Sequence, residues 1–133
     1  MHRRDFLALT AGLTVLPLMA KADWAAYAPG VLQPAMDRGD RIILNFYATW
    51  CGTCARQQRV MDQLRAENPA YDQNLTMIQV DWDTYSGSPL VSEFNVPRRS
   101  TIIALKGNQE LARSVAGTSV SDIQALFDAA LNA

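Results

Sequence analysis

The 133-residue chain is poor in the residues that most chemistry needs. It holds one histidine, His2, and two cysteines, Cys51 and Cys54. A Cys-His nucleophile pair or a mixed Cys/His zinc site would have to recruit His2 from the far N-terminus. Two cysteines cannot frame a disulfide-rich scaffold. An excess of one charge is lacking as well: 12 Lys and Arg stand against 13 Asp and Glu. The basic footprint of a nucleic-acid-binding protein is absent, so no nucleic acid is expected as a partner. No apolar run reaches the roughly 18 residues of a membrane span. No repeat with a period of about 20–50 residues signals a solenoid. What is left has the length and composition of one small globular domain, expected to act as a monomer.

The first residues follow a different plan. Arg3 and Arg4 precede an apolar run from Phe6 to Met19, interrupted by Thr10, Gly12, Thr14 and Pro17, and Ala20-Lys21-Ala22 follows. A basic start, a short apolar stretch and a small-x-small site make up a secretory signal peptide. His2-Arg3-Arg4-Asp5-Phe6-Leu7 further resembles the twin-arginine signal, although the usual Ser or Thr before the arginines and the Lys after the Leu are missing. The alternative is an uncleaved helix that anchors the protein. Residues 1–22 are read as an export signal and residues 23–133 as the mature domain. That domain has no histidine and is expected in the periplasm, a disulfide-permissive compartment.

Along residues 23–133 the hydrophobic pattern alternates between helix and strand. A short helix is expected around Val31 to Asp37, between Pro29 and a turn at Arg38-Gly39-Asp40. Arg41 to Ala48 is nearly continuous in branched and aromatic residues and reads as a buried central strand. Cys51 to about Glu67 reads as a helix, with Val60, Met61 and Leu64 apolar and Arg56, Gln57, Arg59, Gln63 and Arg65 on polar faces. Asn68-Pro69 ends it. Leu75 to Val80 is a second strand, Pro89 to Phe94 a short helix, Thr101 to Leu105 a third strand and Glu110 to Ala116 a fourth. Ser119 is placed to cap a terminal helix, whose inner face is expected to carry Val120, Ile123, Phe127 and Ala130, with Leu126 and Leu131 beside them. This order implies an α/β fold, a mixed β-sheet with helices on both faces.

The chemistry sits where the first strand gives way to a helix, at Trp50-Cys51-Gly52-Thr53-Cys54. The first helical turn offers unpaired N–H groups and the positive end of the macrodipole. A thiolate at Cys51 is stabilised there. Cys54 lies one turn on, on the same face, within reach of a disulfide. An exposed, low-pKa first cysteine would attack a substrate disulfide, and a more buried second cysteine would resolve the mixed disulfide. A static disulfide is the plainer reading, but so small a loop gives up most of the entropic benefit. A metal site would need ligands that this domain lacks, although soft thiolates also suit Cu(I).

An apolar strand, then Ala48-x-Trp50-Cys51-Gly52-x-Cys54, then a long helix resembles the thioredoxin fold over roughly Val31 to Leu131. Three positions depart from the commonest pattern of that family. Asn45, six residues before Cys51, stands where cytosolic members carry a buried Asp that accepts a proton from the resolving cysteine. An amide cannot ionise. The segment Leu44-Asn45-Phe46-Tyr47-Ala48 is similar to the exported TlpA-like and ResA-like members; a plain core amide is the alternative. Thr53 replaces a proline between the cysteines, and its hydroxyl could bond the thiolate. Ser100, before Thr101-Ile102-Ile103-Ala104-Leu105, occupies the family's cis-proline slot. A cis bond before serine would cost about 2.5–4 kcal/mol, so a trans bond is expected there.

The resemblance implies further roles. Arg99 holds the position whose backbone pairs with bound substrate, and Arg98 and Arg99 would either depress the Cys51 pKa or form a solvated loop. Trp50 is expected as a partly exposed apolar cover over the dithiol, and Gly52, Thr53, Arg99 and Ser100 as further substrate contacts. Trp24 and Trp82 are read as packing residues, and Asp81-Trp82-Asp83 is assigned no chemistry. The implied activity is protein disulfide oxidoreduction on disulfide-containing proteins, with no bound cofactor. A membrane electron donor of the CcdA or DsbD kind would re-reduce such a protein in an oxidising compartment. A dithiol oxidase and a copper-delivery or partner-binding domain are the rival readings.

Overall fold

The computed structural model describes residues 23–133. The export signal expected at residues 1–22 lies outside the described residues. A five-stranded sheet has the order β1-β3-β2-β4-β5. The strands are β1 (Ala25–Ala26), β2 (Arg41–Tyr47), β3 (Leu75–Asp81), β4 (Thr101–Lys106) and β5 (Gln109–Val115). β3 runs parallel to both β1 and β2, whereas β4 is antiparallel to β2 and β5 is antiparallel to β4. The helices are α1 (Leu32–Asp37), α2 (Gly52–Glu67), α3 (Pro69–Asn74), α4 (Trp82–Tyr85), α5 (Pro89–Glu93) and α6 (Val120–Leu131).

Strand pleating divides the apolar residues between two cores. Ile43, Leu75, Met77, Ile102 and Ala104 face Met61 and Leu64 of α2, Tyr71 of α3 and Ile123, Leu126, Phe127 and Ala130 of α6. Ile42, Leu44, Phe46, Ile78, Val80, Ile103 and Leu105 face Leu32 and Ala35 of α1 and Leu90 of α5. The near-continuous apolar runs of the central strands follow from this two-sided burial. Trp24 packs against the first core and Trp82 against the second.

Several local expectations are corrected. Gln57 and Arg65, read as part of a polar face, are buried. The Arg65 Nε donates at 2.7 Å to Asp72 of α3, and both side chains of this ion pair are buried. The pair joins α2 to α3, a helix the Asn68-Pro69 stop had concealed. Asn68 ends α2 but also caps α3, its side chain accepting from the Ala70 N–H at 3.1 Å. Pro69 then sits at the first helical position, where its missing N–H costs nothing. Val120, expected on the inner face of α6, is 41% exposed, because it opens the helix one turn before Ile123 reaches the sheet. Ser119 does cap α6, accepting from the Asp122 N–H at 3.1 Å.

Candidate functional site

The dithiol stands at the C-terminal end of β2, and the start of β4 comes up beside it because the two strands are antiparallel, with Phe46 opposite Thr101. Cys51 is not the first helical residue but the N-cap of α2, in extended conformation. Its Sγ accepts the Cys54 backbone N–H at 3.1 Å, which is the part a capping oxygen plays at an ordinary helix start. Both thiols are free. They are also about equally buried, at 4% and 5% exposure, which corrects the expectation of an exposed first cysteine. Ala48 packs against both, with Tyr47 and Trp82 alongside. A groove of about 290 Å³ reaches the sulfurs between Tyr47, Ala48, Gln58 and Gln79. A larger groove of about 610 Å³, between α1 and α5, is lined by neither cysteine.

Ser100 is wholly buried and its hydroxyl lies between the two sulfurs, 3.2 Å from Cys51 and 3.0 Å from Cys54. The peptide bond before it is trans, as are all those described, and its φ is +67°. A serine in the left-handed region is strained by about 1–3 kcal/mol. Three main-chain bonds hold it there. Its N–H donates to the Phe46 carbonyl at 2.7 Å, and its carbonyl accepts from the Ala116 N–H at 2.8 Å and the Gln57 amide at 2.9 Å. The same Gln57 nitrogen donates to the Gly117 carbonyl at 2.9 Å, so one buried amide ties the loops on both sides of the site. Thr53 is half-buried; among the described residues the hydroxyl that reaches the thiols is that of Ser100 instead.

The two thiols are driven apart in acidity. Burial alone would raise the Cys51 thiol. Hydrogen bonds from the Cys54 thiol, the Ser100 hydroxyl, the Cys54 N–H and Arg99 outweigh burial and bring it down to about 6. Burial pushes the Cys54 thiol up, and its bond to Cys51 adds to the rise. Arg99 therefore adds, as the smallest of these contributions, to the lowering of the Cys51 thiol. Its guanidinium also stacks on the Trp50 ring, 4.4 Å from the centroid. Arg98 is held instead on the loop, its Nε donating to the Arg99 carbonyl at 2.9 Å. Trp50 is 59% exposed, as a cover would be, and its indole N–H donates to Asp83. The Asp81-Trp82-Asp83 segment, given no role from sequence, thus supplies an anchor for the site through the short helix α4.

Asn45 is buried on β2, in register with Gln79 and Ile102. It shares the Ile43 face, which α2 covers, and makes no hydrogen bond to either sulfur. Gly52 opens α2 with open space on its side-chain side. No grouping of three or more His, Cys, Asp or Glu side chains suited to a metal occurs among the described residues.

Comparison with known proteins gives this geometry a lineage. The thioredoxin family model matches residues 27–129. Thioredoxin 2 of Plasmodium falciparum is 35% identical over 86 residues, 65% of this chain and 52% of that protein. The chain thus spans about half the length of that relative. The thioredoxin of Chlamydia trachomatis is 35% identical over 75 residues, 56% of this chain and 67% of that one. Among solved structures, Trxlp from Edwardsiella tarda is 30% identical with a TM-score of 0.68, covering 78% of this chain and 98% of that one. With a dithiol at a helix start, a mixed sheet of this order and a family match across nearly the whole described domain, the chain belongs to the thioredoxin family.

Proposed function

We propose that this protein is an exported reductase of protein disulfides, with Cys51 as nucleophile and Cys54 as resolving thiol. The observation that carries the reading is the Cys51 sulfur at the N-cap of α2, accepting the Cys54 N–H at 3.1 Å with the Ser100 hydroxyl 3.2 Å away, a setting in which the Cys51 thiol is brought down to about 6 while burial pushes the Cys54 thiol up. At neutral pH Cys51 is a thiolate and Cys54 keeps its proton. The thiolate attacks a substrate disulfide, one substrate sulfur leaves as a thiolate, and a mixed disulfide forms. Cys54 then loses its proton and attacks the Cys51 sulfur. The Cys51–Cys54 disulfide forms, the second substrate sulfur leaves, and two electrons have passed to the substrate. Trp50, Gly52, Thr53 and Arg99 are the proposed substrate rim; Ser100, expected there from sequence, is wholly buried with its N–H and carbonyl already bonded, and stands behind the rim.

The degree of thiolate stabilisation supports the reducing direction. A more stable thiolate makes the dithiol form easier to reach and the protein more oxidising. The nucleophile lies at about 7 in thioredoxin and about 3.5 in DsbA, and about 6 is nearer the first. Export is supported by the signal-like pattern of residues 1–22, and kinship with the TlpA-like and ResA-like members by Asn45 in Leu44-Asn45-Phe46-Tyr47-Ala48. A reductase in an oxidising compartment needs a source of electrons, here a membrane donor of the CcdA or DsbD kind. The dithiol carries the electrons itself, so the reaction needs no bound cofactor.

The reduction potential of the couple, read by equilibration in glutathione or dithiothreitol buffers, tests the reading. A value near thioredoxin's, about −270 mV, is expected. A value near DsbA's, about −120 mV, would overturn the direction and make the protein a disulfide donor.

A further inference from the structure

We propose that Ser100 is a positioning residue of the redox couple: its hydroxyl bridges the two sulfurs in the dithiol form alone and so sets how firmly the pair holds its two electrons. The inference rests on the Cys51–Cys54 pair being the redox couple of the proposed function.

The geometry leaves the hydroxyl little choice. The Ser100 Oγ has one proton to donate and lone pairs to accept with, and the sulfurs stand 3.2 and 3.0 Å away on either side. With a thiolate on Cys51 and a thiol on Cys54, one orientation satisfies every group. The Ser100 O–H donates to the Cys51 thiolate, and the single Cys54 S–H proton lies where both Oγ and the Cys51 sulfur can accept it. Charge-assisted bonds of this kind are the strong ones.

Oxidation removes both ends of the chain at once. A disulfide has no S–H to donate, and its sulfurs carry no charge to attract a donor. The Ser100 residue is fully buried, so its hydroxyl then loses its best partners in a place where unsatisfied polar groups are costly. Three hydrogen bonds to its N–H and carbonyl fix the backbone that carries it, and its burial leaves the hydroxyl no solvent to turn to. The hydroxyl therefore favours the dithiol over the disulfide. The positive φ of Ser100 belongs to the same arrangement, since it aims the side chain at the sulfurs.

The test is the equilibrium of the reduced protein with oxidised glutathione. The dithiol gives up two electrons and its sulfurs join, while glutathione disulfide is cleaved to two thiols. Two variants are compared with the parent, Ser100→Ala and Ser100→Gly. Both lose the hydroxyl, but glycine adopts a positive φ without strain, so the glycine variant carries the measurement if the alanine variant does not fold. Both are expected to move the equilibrium about tenfold toward the protein disulfide, a potential about 30 mV more negative. The pH midpoint of Cys51 alkylation by iodoacetamide is expected to rise in both, a change that a purely structural role would not produce. An equilibrium within twofold of the parent in the folded variants, or a shift toward the dithiol, would overturn the inference. A parent potential at the oxidising end would sink the reductase reading while leaving the Ser100 shift intact. A parent pair with no reversible exchange would sink both.

Discussion

The Trp50 indole N–H donates to both carboxylate oxygens of Asp83, at 3.0 and 2.9 Å. This bond fastens an exposed aromatic ring, next to the dithiol, to a helix that follows the neighbouring strand. Arg99 closes over the ring's face at 4.4 Å. The apolar rim beside the sulfurs is thereby held in place by a carboxylate below and a cation above.

Asp83→Ala should free Trp50 without touching the thiols. The expected outcome is a KM for a protein disulfide substrate raised a few-fold, with the Cys51 alkylation profile unchanged. Stability should fall by less than about 1 kcal/mol, because the bond is exposed. Insulin reduction kinetics and denaturant titration check the two parts.

Cysteine chemistry should be strongly asymmetric. Cys51→Ala is expected to abolish reduction of protein disulfides. Cys54→Ser should still attack but not resolve, and so accumulate mixed disulfides. Non-reducing electrophoresis after incubation with a disulfide substrate distinguishes the two; trapping by Cys51→Ala and not by Cys54→Ser would reverse the assigned roles.

The pH dependence has a defined sign. With Cys51 near 6, its alkylation rate should climb through pH 6 and level off above about pH 7.5. In the unfolded chain the same thiol ionises near its ordinary value, about 8.5. A group depressed on folding contributes stability that is present above its unfolded pKa and lost as pH falls through its folded one. The reduced protein should therefore gain stability from pH 6 to pH 8.5, by at most about 3 kcal/mol. The oxidised protein should lack that gain. Denaturant titrations of both forms across this range provide the check.

Tyr71 is buried and its hydroxyl donates to Asp128 of α6 at 2.5 Å. Burial, then the bond and charge of Asp128, push the Tyr71 phenol up to about 12. Tyr71→Phe should cost about 1–3 kcal/mol at neutral pH, read as a lowered denaturation midpoint with activity retained. A raised pKa means that this contribution is full below the unfolded value near 10 and is lost as pH rises through 12.

Local sequence carried much of this protein. The unbroken Arg41–Ala48 run declared a buried strand, because residues shielded on both faces need no polar alternation. The cysteine spacing at the start of a helix declared the dithiol, since the capping geometry and the dipole belong to any helix start. Ser119 announced the last helix by the same logic of unpaired N–H groups. Such signals lie within a few residues of the structure they specify.

What only the tertiary structure decided depends on partners far along the chain. Gln57 and Arg65 look like surface residues until the Ser100 and Gly117 carbonyls, 43 and 60 residues from Gln57, and the Asp72 carboxylate beside Arg65 make their burial favourable. A buried polar group is tolerated only where such partners meet it. Asp83 gained a role because β3 delivers its helix beside Trp50, and Cys51 lost its exposure because Ala48, Tyr47 and Trp82 close around it. Ser100 could be aligned with a proline from sequence, but its hydroxyl meets both sulfurs only because β4 runs antiparallel to β2 and three main-chain bonds hold a positive φ. The thiols were written in the sequence; the hydroxyl between them is a product of the fold, which alone brings residues 46 and 49 positions apart in the chain within hydrogen-bond range.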